Sequence, residues 1–390
     1  MGRGLEYEKL QKMDEAIADF SRVIDLNLAN ERAYNNRGNA YAAKGMCTEA
    51  IADFSRAIEL NPQNATAFYN RGIEYGERGL IEEAITDLGQ AIRLRPDLTE
   101  AYYNRGVAYH KRGLLDEAIA DYDRAIELNP ANEKAYNNRG NAYSGKGMND
   151  EAIADFSRAI GLNPGNSTAY YNRGIEYGKK GLIEEAIADF SRAIEIKPDL
   201  PEAYYNRGVA FQKKGHLEEA ITDYSKTIEL SPYNEKALNN RGNAYAMRGM
   251  YNEAIADFSR AIELNPGNPT AYYNRGIEYG KKGLIEEAIA DFSRAIEIKP
   301  DLAEAYYNIG NIYYNRNQCE LAIREFEKAL SINTEYARAH LNKALACEKL
   351  GRVAEARASY EGFIRYARDE SRELVDFVTQ RLKDLAKKAA

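Results

Sequence analysis

An all-α solenoid of about eleven helical hairpins is the architecture this sequence predicts, and three observations predict it. A glycine returns every 34 residues, at Gly4, Gly38, Gly72, Gly106, Gly140, Gly174, Gly208, Gly242, Gly276 and Gly310. A fixed period of that length marks stacked supersecondary repeats rather than separate globular domains. With this glycine set at position 8, positions 1–14 and 17–30 each carry apolar residues three and four apart, the spacing of two amphipathic helices. The breaks have their own chemistry. Glycine at position 15, as in Gly45, Gly79 and Gly113, leaves helical dihedrals cheaply, and proline at position 32, eight times from Pro62 to Pro300, cannot extend a helix.

The chain opens with a partial repeat, residues 1–30, which begins at position 5 with Met-Gly-Arg-Gly where later repeats read Tyr-Asn-Arg-Gly. Either the reading frame begins there or the chain is a piece of a longer protein. Ten complete repeats are expected over residues 31–370, starting at Glu31, Ala65, Thr99, Glu133, Ser167, Pro201, Glu235, Pro269, Ala303 and Ala337. Alanine holds position 20 from Ala16 to Ala356. Rings hold most of positions 11 (Tyr41, Tyr75, Tyr109, Phe211) and 24 (Phe54, Tyr122, Phe156, Phe190). The small residues at 8 and 20 let the two helices cross closely, and the ring at 24 fills the space beside them. One hairpin cannot bury its own apolar face, whereas stacked hairpins make a continuous core.

A longer period of 102 residues runs through residues 31–336: Asn39, Asn141 and Asn243 are equivalent, as are Met46, Met148 and Met250. The repeats at Ser167 and Pro269 differ only in their first residue. Duplication of a three-repeat block explains this, and copying makes residues recur whether or not they act. The last complete repeat diverges, with Ala344 at position 8 and Cys347 at position 11. In residues 371–390, Leu374, Val378, Leu382 and Leu385 fall on one face of a final helix. Lys383, Lys387 and Lys388 suit the negative end of its dipole. This tail is expected to cap the array.

Small residues at 8 and 20, aromatic residues at 4, 11 and 24 and proline near 32 resemble the tetratricopeptide repeat, and the resemblance covers essentially the whole chain. It implies a right-handed superhelix whose first helices (helices A) line the inner face with positions 2, 5, 6, 9, 12 and 13. One departure is systematic: position 7 is Arg37, Arg71, Arg105 and so on, where the family usually has a large apolar residue. Aspartate at position 23 of the first nine repeats, as in Asp53, Asp87 and Asp121, offers a partner on helix B of the same or the adjoining repeat. The same Asp53 also lies three residues from Arg56, and Ile309 replaces the arginine where Glu325 replaces the aspartate. This set reads as structural.

The candidate binding residues lie on helices A. Position 6 is Asn36, Asn70, Asn104, Asn138, Asn172, Asn206, Asn240, Asn274, Asn308 and Asn342. Asparagine is a mediocre helix former, so ten in one helical register come at a cost. A carboxamide has a donor and an acceptor, matching the N–H and C=O of a peptide bond, and a ladder of them suits an extended backbone. The arrangement is similar to the asparagine-lined superhelix of the O-linked N-acetylglucosamine transferase. The plainer alternative is that each Asn bonds a neighbouring helix. Position 5 is tyrosine at Tyr69, Tyr103, Tyr171, Tyr205, Tyr273 and Tyr307, a residue suited to recognition surfaces or to packing between helices A. Position 2 cycles through a base, threonine and glutamate (Arg32, Thr66, Glu100), a mixed charge that favours polypeptide over a polyanion. The family's clamp for a chaperone carboxylate needs basic residues that are missing. Asn39 and Asn70 fit it, but Asn35, Glu100 and Asn104 do not.

Other functions find little support. The net charge of −7 is spread over every repeat, so a basic stripe for nucleic acid is absent. No run of 18 apolar residues would span a membrane, and no apolar signal opens the chain. Three scattered cysteines favour a reducing, cytoplasmic setting without a disulfide framework. His110, His216 and His340 occupy unrelated positions, which implies neither metal nor acid–base catalysis, and no cofactor is expected. Glu74, Glu176 and Glu278 recur at position 10 through copying, and the carboxylates are expected to be solvated. The sequence therefore predicts a non-enzymatic scaffold or adaptor that holds an extended protein segment. The competing readings are end-to-end self-association through the uncovered front edge and a targeting region of a larger enzyme.

Overall fold

A computed structural model describes residues 1–368 and 370–389, with side chains through residue 386. Every described element is a helix, from Gly2–Lys9 to Arg372–Ala389, and consecutive helices pair as antiparallel hairpins. The chain forms two compact bodies, Met1–Pro198 and Asp199–Ala390. In each, a helix A such as Glu31–Ala43 packs on its helix B, Cys47–Leu60, and helix B packs on the next helix A. The fold class is all-α, with helical hairpins stacked in each body.

Glycine at position 15 takes positive φ, from 70° at Gly351 to 83° at Gly113, and closes each A–B turn. Gln11 and Asn317 adopt the same left-handed conformation at φ 57° without being glycine. Helix A starts have a device the period does not advertise. Asn30, Asn64, Asn132, Asn166, Asn234 and Asn268 each cap the next helix by accepting the N–H of its third residue. Helix B ends before an extended residue, as at Asn61, and the proline follows.

The cause of the position 8 glycine is sharper than helix crossing alone. The ring at position 24 lies directly on its Cα: a methyl group on Gly174 would sit 2.8 Å from Phe190 Cε1, and one on Gly38 2.6 Å from Phe54 Cε1. These rings and the position 20 alanines are fully or nearly fully buried. They form the core that ties helix A to helix B. At the end of the second body, Val378 and Leu385 of helix Arg372–Ala389 are buried against Tyr360 and Phe363, with Leu374 and Leu382 packed beside them. The amphipathic face read from the sequence is thus the face that covers the last repeat. Lys387 and Lys388 lie outside the described side chains.

Candidate functional site

Position 7 sets the frame. Each arginine reaches across its own hairpin and grips the position 23 aspartate with two parallel bonds. Arg37 donates from Nε to Asp53 at 2.7 Å and from Nη2 at 2.8 Å, and Arg173 does the same to Asp189. The pairing is within the repeat, and Arg56 turns instead to Glu59. The third arm ties repeats together: Arg173 Nη1 donates to Ser157 Oγ of the preceding repeat at 2.9 Å, and Arg139 meets Asp123 there. Most of these guanidinium groups also lie between the rings at positions 4 and 11, as Arg173 does at 5.7 Å from Tyr170 and 5.6 Å from Tyr177, whereas Arg241 has only Tyr245 because Leu238 holds position 4. The hydrogen bond to its aspartate is the chief cause that raises the pKa of Arg173, while burial pushes the Asp155 carboxyl up despite Arg139. Ile309 fills the same register with a buried aliphatic chain, and Glu325 pairs with Lys328 at 2.8 Å.

This frame holds positions 5 and 6 of helix A. All ten position 6 asparagines are half-buried, neither sealed nor turned to bulk solvent. Most donate one amide N–H sideways to the preceding repeat, by one of two routes set by the three-repeat period. After a repeat with Asn at positions 5 and 9, the acceptor is the position 9 oxygen: Asn70 to Asn39 at 2.8 Å, Asn172 to Asn141 at 2.8 Å, Asn274 to Asn243 at 3.0 Å. After a repeat with tyrosine at position 5, the acceptor is the phenol: Asn104 to Tyr69 at 3.1 Å, Asn138 to Tyr103 at 3.0 Å, Asn240 to Tyr205 at 3.0 Å, Asn308 to Tyr273 at 3.3 Å. Asn342 bonds both Tyr307 and Asn311. The neighbour-bonding alternative therefore accounts for one N–H of each of these eight amides. Among the described residues, the side-chain oxygens of Asn70, Asn104, Asn138 and Asn172 in the first body, and of Asn240, Asn274, Asn308 and Asn342 in the second, accept no bond from the chain.

The position 5 tyrosines combine packing with this network. Tyr103 packs on Tyr122, and Tyr273 on Phe292, with ring centroids 6.1 and 5.7 Å apart. Burial pushes the phenol pKa of Tyr69, Tyr103, Tyr205 and Tyr273 up, so each stays protonated while accepting an Asn N–H. Its own O–H remains to be donated. The two asparagines of the incomplete chaperone clamp, Asn39 and Asn70, bond each other.

The face is recessed in each body. A cavity of about 520 Å³ in the first is lined by Arg32, Asn35, Asn36 and Thr66, among others. One of about 390 Å³ in the second is lined by Asn243, Asn274, Ile277 and Glu278, among others. The expectation of solvated carboxylates fails at position 10. Glu74, Glu176 and Glu278 are all buried, Glu74 beside Cys47 and Glu176 beside Asn149, the position 17 residues of the preceding repeats. Recurrence every 102 residues was the one signal for them, and duplication explains that signal without burial. Among the described residues, no group of three His, Cys, Asp or Glu side chains is placed to hold a metal ion, and no helix is long and apolar enough to cross a membrane.

Comparison with known proteins identifies the repeat. The family model described as TPR repeat matches residues 4–45, 38–79, 74–113, 176–215 and 278–315. The tetratricopeptide repeat model matches 99–132, 133–166, 201–234 and 235–268, and two further tetratricopeptide models match 258–290 and 307–370. The chain belongs to the tetratricopeptide repeat family. No curated protein matches it. Among solved structures it is similar to YrrB, described as a TPR protein with an unusual peptide-binding site, at 29% identity and a TM-score of 0.43 over 47% of this chain and 95% of that one. It is also similar to MamA, at 32% identity and a TM-score of 0.40 over 41% and 94%. A tetratricopeptide protein from Parabacteroides merdae matches at 22% identity and a TM-score of 0.47 over 61% and 94%. These scores lie below 0.5, and the family assignment rests on the repeat models.

Proposed function

We propose that this protein is a protein–protein interaction scaffold that holds an extended polypeptide segment along the helix A face of its repeats. The observation that carries the reading is the state of the position 6 amides. In Asn70, Asn104, Asn138, Asn172, Asn240, Asn274, Asn308 and Asn342 one N–H is tied to the preceding repeat, which fixes the side chain, and the oxygen accepts no bond from the described residues. An extended peptide has N–H groups for those oxygens and carbonyls for the second amide N–H and the position 5 phenols. Fixing the amides beforehand lowers the ordering cost of binding. Because the contacts address main-chain groups, affinity follows conformation more than side-chain sequence.

A peptide array identifies a captured peptide, and two changes then test the reading. Asn138→Ala with Asn172→Ala in the first body, or Asn240→Ala with Asn274→Ala in the second, is expected to weaken its binding about tenfold or more, at roughly 1 kcal/mol per hydrogen bond. The peptide N-methylated at alternate amides is expected to bind the unchanged protein as weakly. Full affinity in both experiments would leave the amides as repeat-to-repeat braces only.

A further inference from the structure

Duplication has placed the same buried carboxylate in three settings, and the third is incomplete. At Glu176 both oxygens are met: Ser144 and Lys179 donate to Oε1 at 2.6 and 2.7 Å, and the Asn149 amide, oriented with its nitrogen towards the carboxylate, donates to Oε2 at 3.2 Å. At Glu74 the thiol of Cys47 stands at the position of Asn149, close enough for the carboxylate to raise its pKa. At Glu278 only the lysine is kept, Lys281 donating to Oε1 at 2.7 Å. Ala246 occupies the register of Ser144 and Tyr251 that of Asn149, and neither donates to Oε2. Glu278 is 3% exposed, and its Oε2 is buried without a donor among the described residues. An ionised oxygen left so is costly.

The space beside it is also different. Met247 replaces Gly145 and is 62% exposed. With Gln212, Asn274, Ile277 and Glu278 it lines the cavity of about 390 Å³. The recess thus brings an apolar wall beside Glu278, one of whose oxygens is buried without a donor, on the same helix A face as Asn243 and Asn274.

We propose that this recess is a subsite for one lysine or arginine side chain of the bound polypeptide. The inference rests on the scaffold reading above and adds a residue preference to it. The guest's N–H groups complete Glu278 Oε2, and its aliphatic stem lies on Met247 and Ile277, the division of labour that long basic side chains make elsewhere. A purely aliphatic guest covers Met247 and leaves the oxygen bare. An acidic guest sets a second negative charge beside it. Lys281, 44% exposed on the other oxygen, does not supply what Oε2 lacks. The first two copies carry no such preference: Ser144, Lys179 and Asn149 already donate to Glu176, and the thiol of Cys47 lies against Glu74.

The test uses the full chain and a displayed library of random twelve-residue peptides. Selection on the unaltered protein is expected to enrich lysine or arginine at one peptide position, and Glu278→Gln is expected to remove that enrichment and weaken selected peptides about tenfold or more. The double change Ala246→Ser with Tyr251→Asn rebuilds the setting of Glu176 and is expected to do the same with the charge retained. Peptides captured without a basic position, or with one indifferent to Glu278→Gln, would overturn the subsite while leaving the scaffold reading in place. If no peptide is captured, the scaffold reading fails and the recess is judged alone by titrating N-acetyl-arginine methylamide against methyl-labelled methionine. A saturable shift of the Met247 signal, reduced by Glu278→Gln and not produced by the norleucine analogue, supports the subsite. No shift, or an equal one from norleucine, overturns it.

Discussion

Arg173 shows how one side chain does several jobs that the sequence spreads over three positions. Its fork closes on Asp189, its third nitrogen reaches Ser157, and its plane lies between two tyrosine rings. Asp189 is only 5% exposed, so removing the cation leaves a buried charge. Arg173→Ala is expected to cost about 3 to 5 kcal/mol, while Arg173→Met with Asp189→Leu is expected to be close to neutral. Urea unfolding followed by circular dichroism reads both, and a small loss from the single change would show that the pair is solvated. The chain holds its own precedent in Ile309, which is 5% exposed at the same register. Cys47 gives a second residue-scale prediction. Glu74 holds its thiol pKa above the usual value, so less thiolate is present near pH 8. Glu74→Gln lowers that pKa, and iodoacetamide alkylation of Cys47 at pH 8 is expected to speed up several-fold. Unchanged kinetics would separate the two groups. These pairings were half legible beforehand: arginine at 7 and aspartate at 23 recur together, but the serine of the preceding repeat gave no sign of itself.

Within the hairpin, the glycine at 8 and the ring at 24 are one feature. Leu88 breaks the pattern in the repeat that begins at Ala65, and a space of about 80 Å³ opens beside it, lined by Ile73, Gly76, Ala84 and Val107, among others. Every other described repeat with glycine at position 8 seats Phe or Tyr there, which makes the backbone ready for a ring. Leu88→Phe is expected to fill the space and stabilise by about 1 kcal/mol, at roughly 20 cal/mol per Å³ less some strain. A rise in the thermal midpoint checks it, and a fall would mean that Leu88 is matched to a locally different packing. The turns were legible because glycine at 15 is dictated by a positive φ. Gln11 shows that the repeat imposes that dihedral even on a residue that resists it, while Asn317 is of a type that adopts it more readily. The asparagine caps were missed because asparagine is frequent here, and its cap role depends on a helix start only coordinates locate.

At the scale of the whole molecule, a repeat array has no central core, and each hairpin depends on its neighbours. The terminal faces are therefore the exposed liabilities. In the second body, helix Arg372–Ala389 covers a cluster that includes Tyr360, Phe363 and the fully buried Cys347, whose thiol burial pushes up to about 11. Deleting residues 371–390 is expected to lower the thermal midpoint, raise light scattering and make Cys347 react with Ellman's reagent under native conditions. A truncated chain with an unreactive Cys347 would show that the last hairpin closes its own core. The sequence alone determined the helical hairpin, its 34-residue length, the turns and the family, because each follows from residues close together in the chain or from strict recurrence. It also named the amides and phenols of positions 5 and 6. Only the tertiary structure decided how those groups divide their hydrogen bonds between the neighbouring repeat and open space, and that Glu278 is buried with an oxygen unmet. Those outcomes depend on side chains some 30 residues apart meeting across a repeat junction, where identical letters can lie in different surroundings.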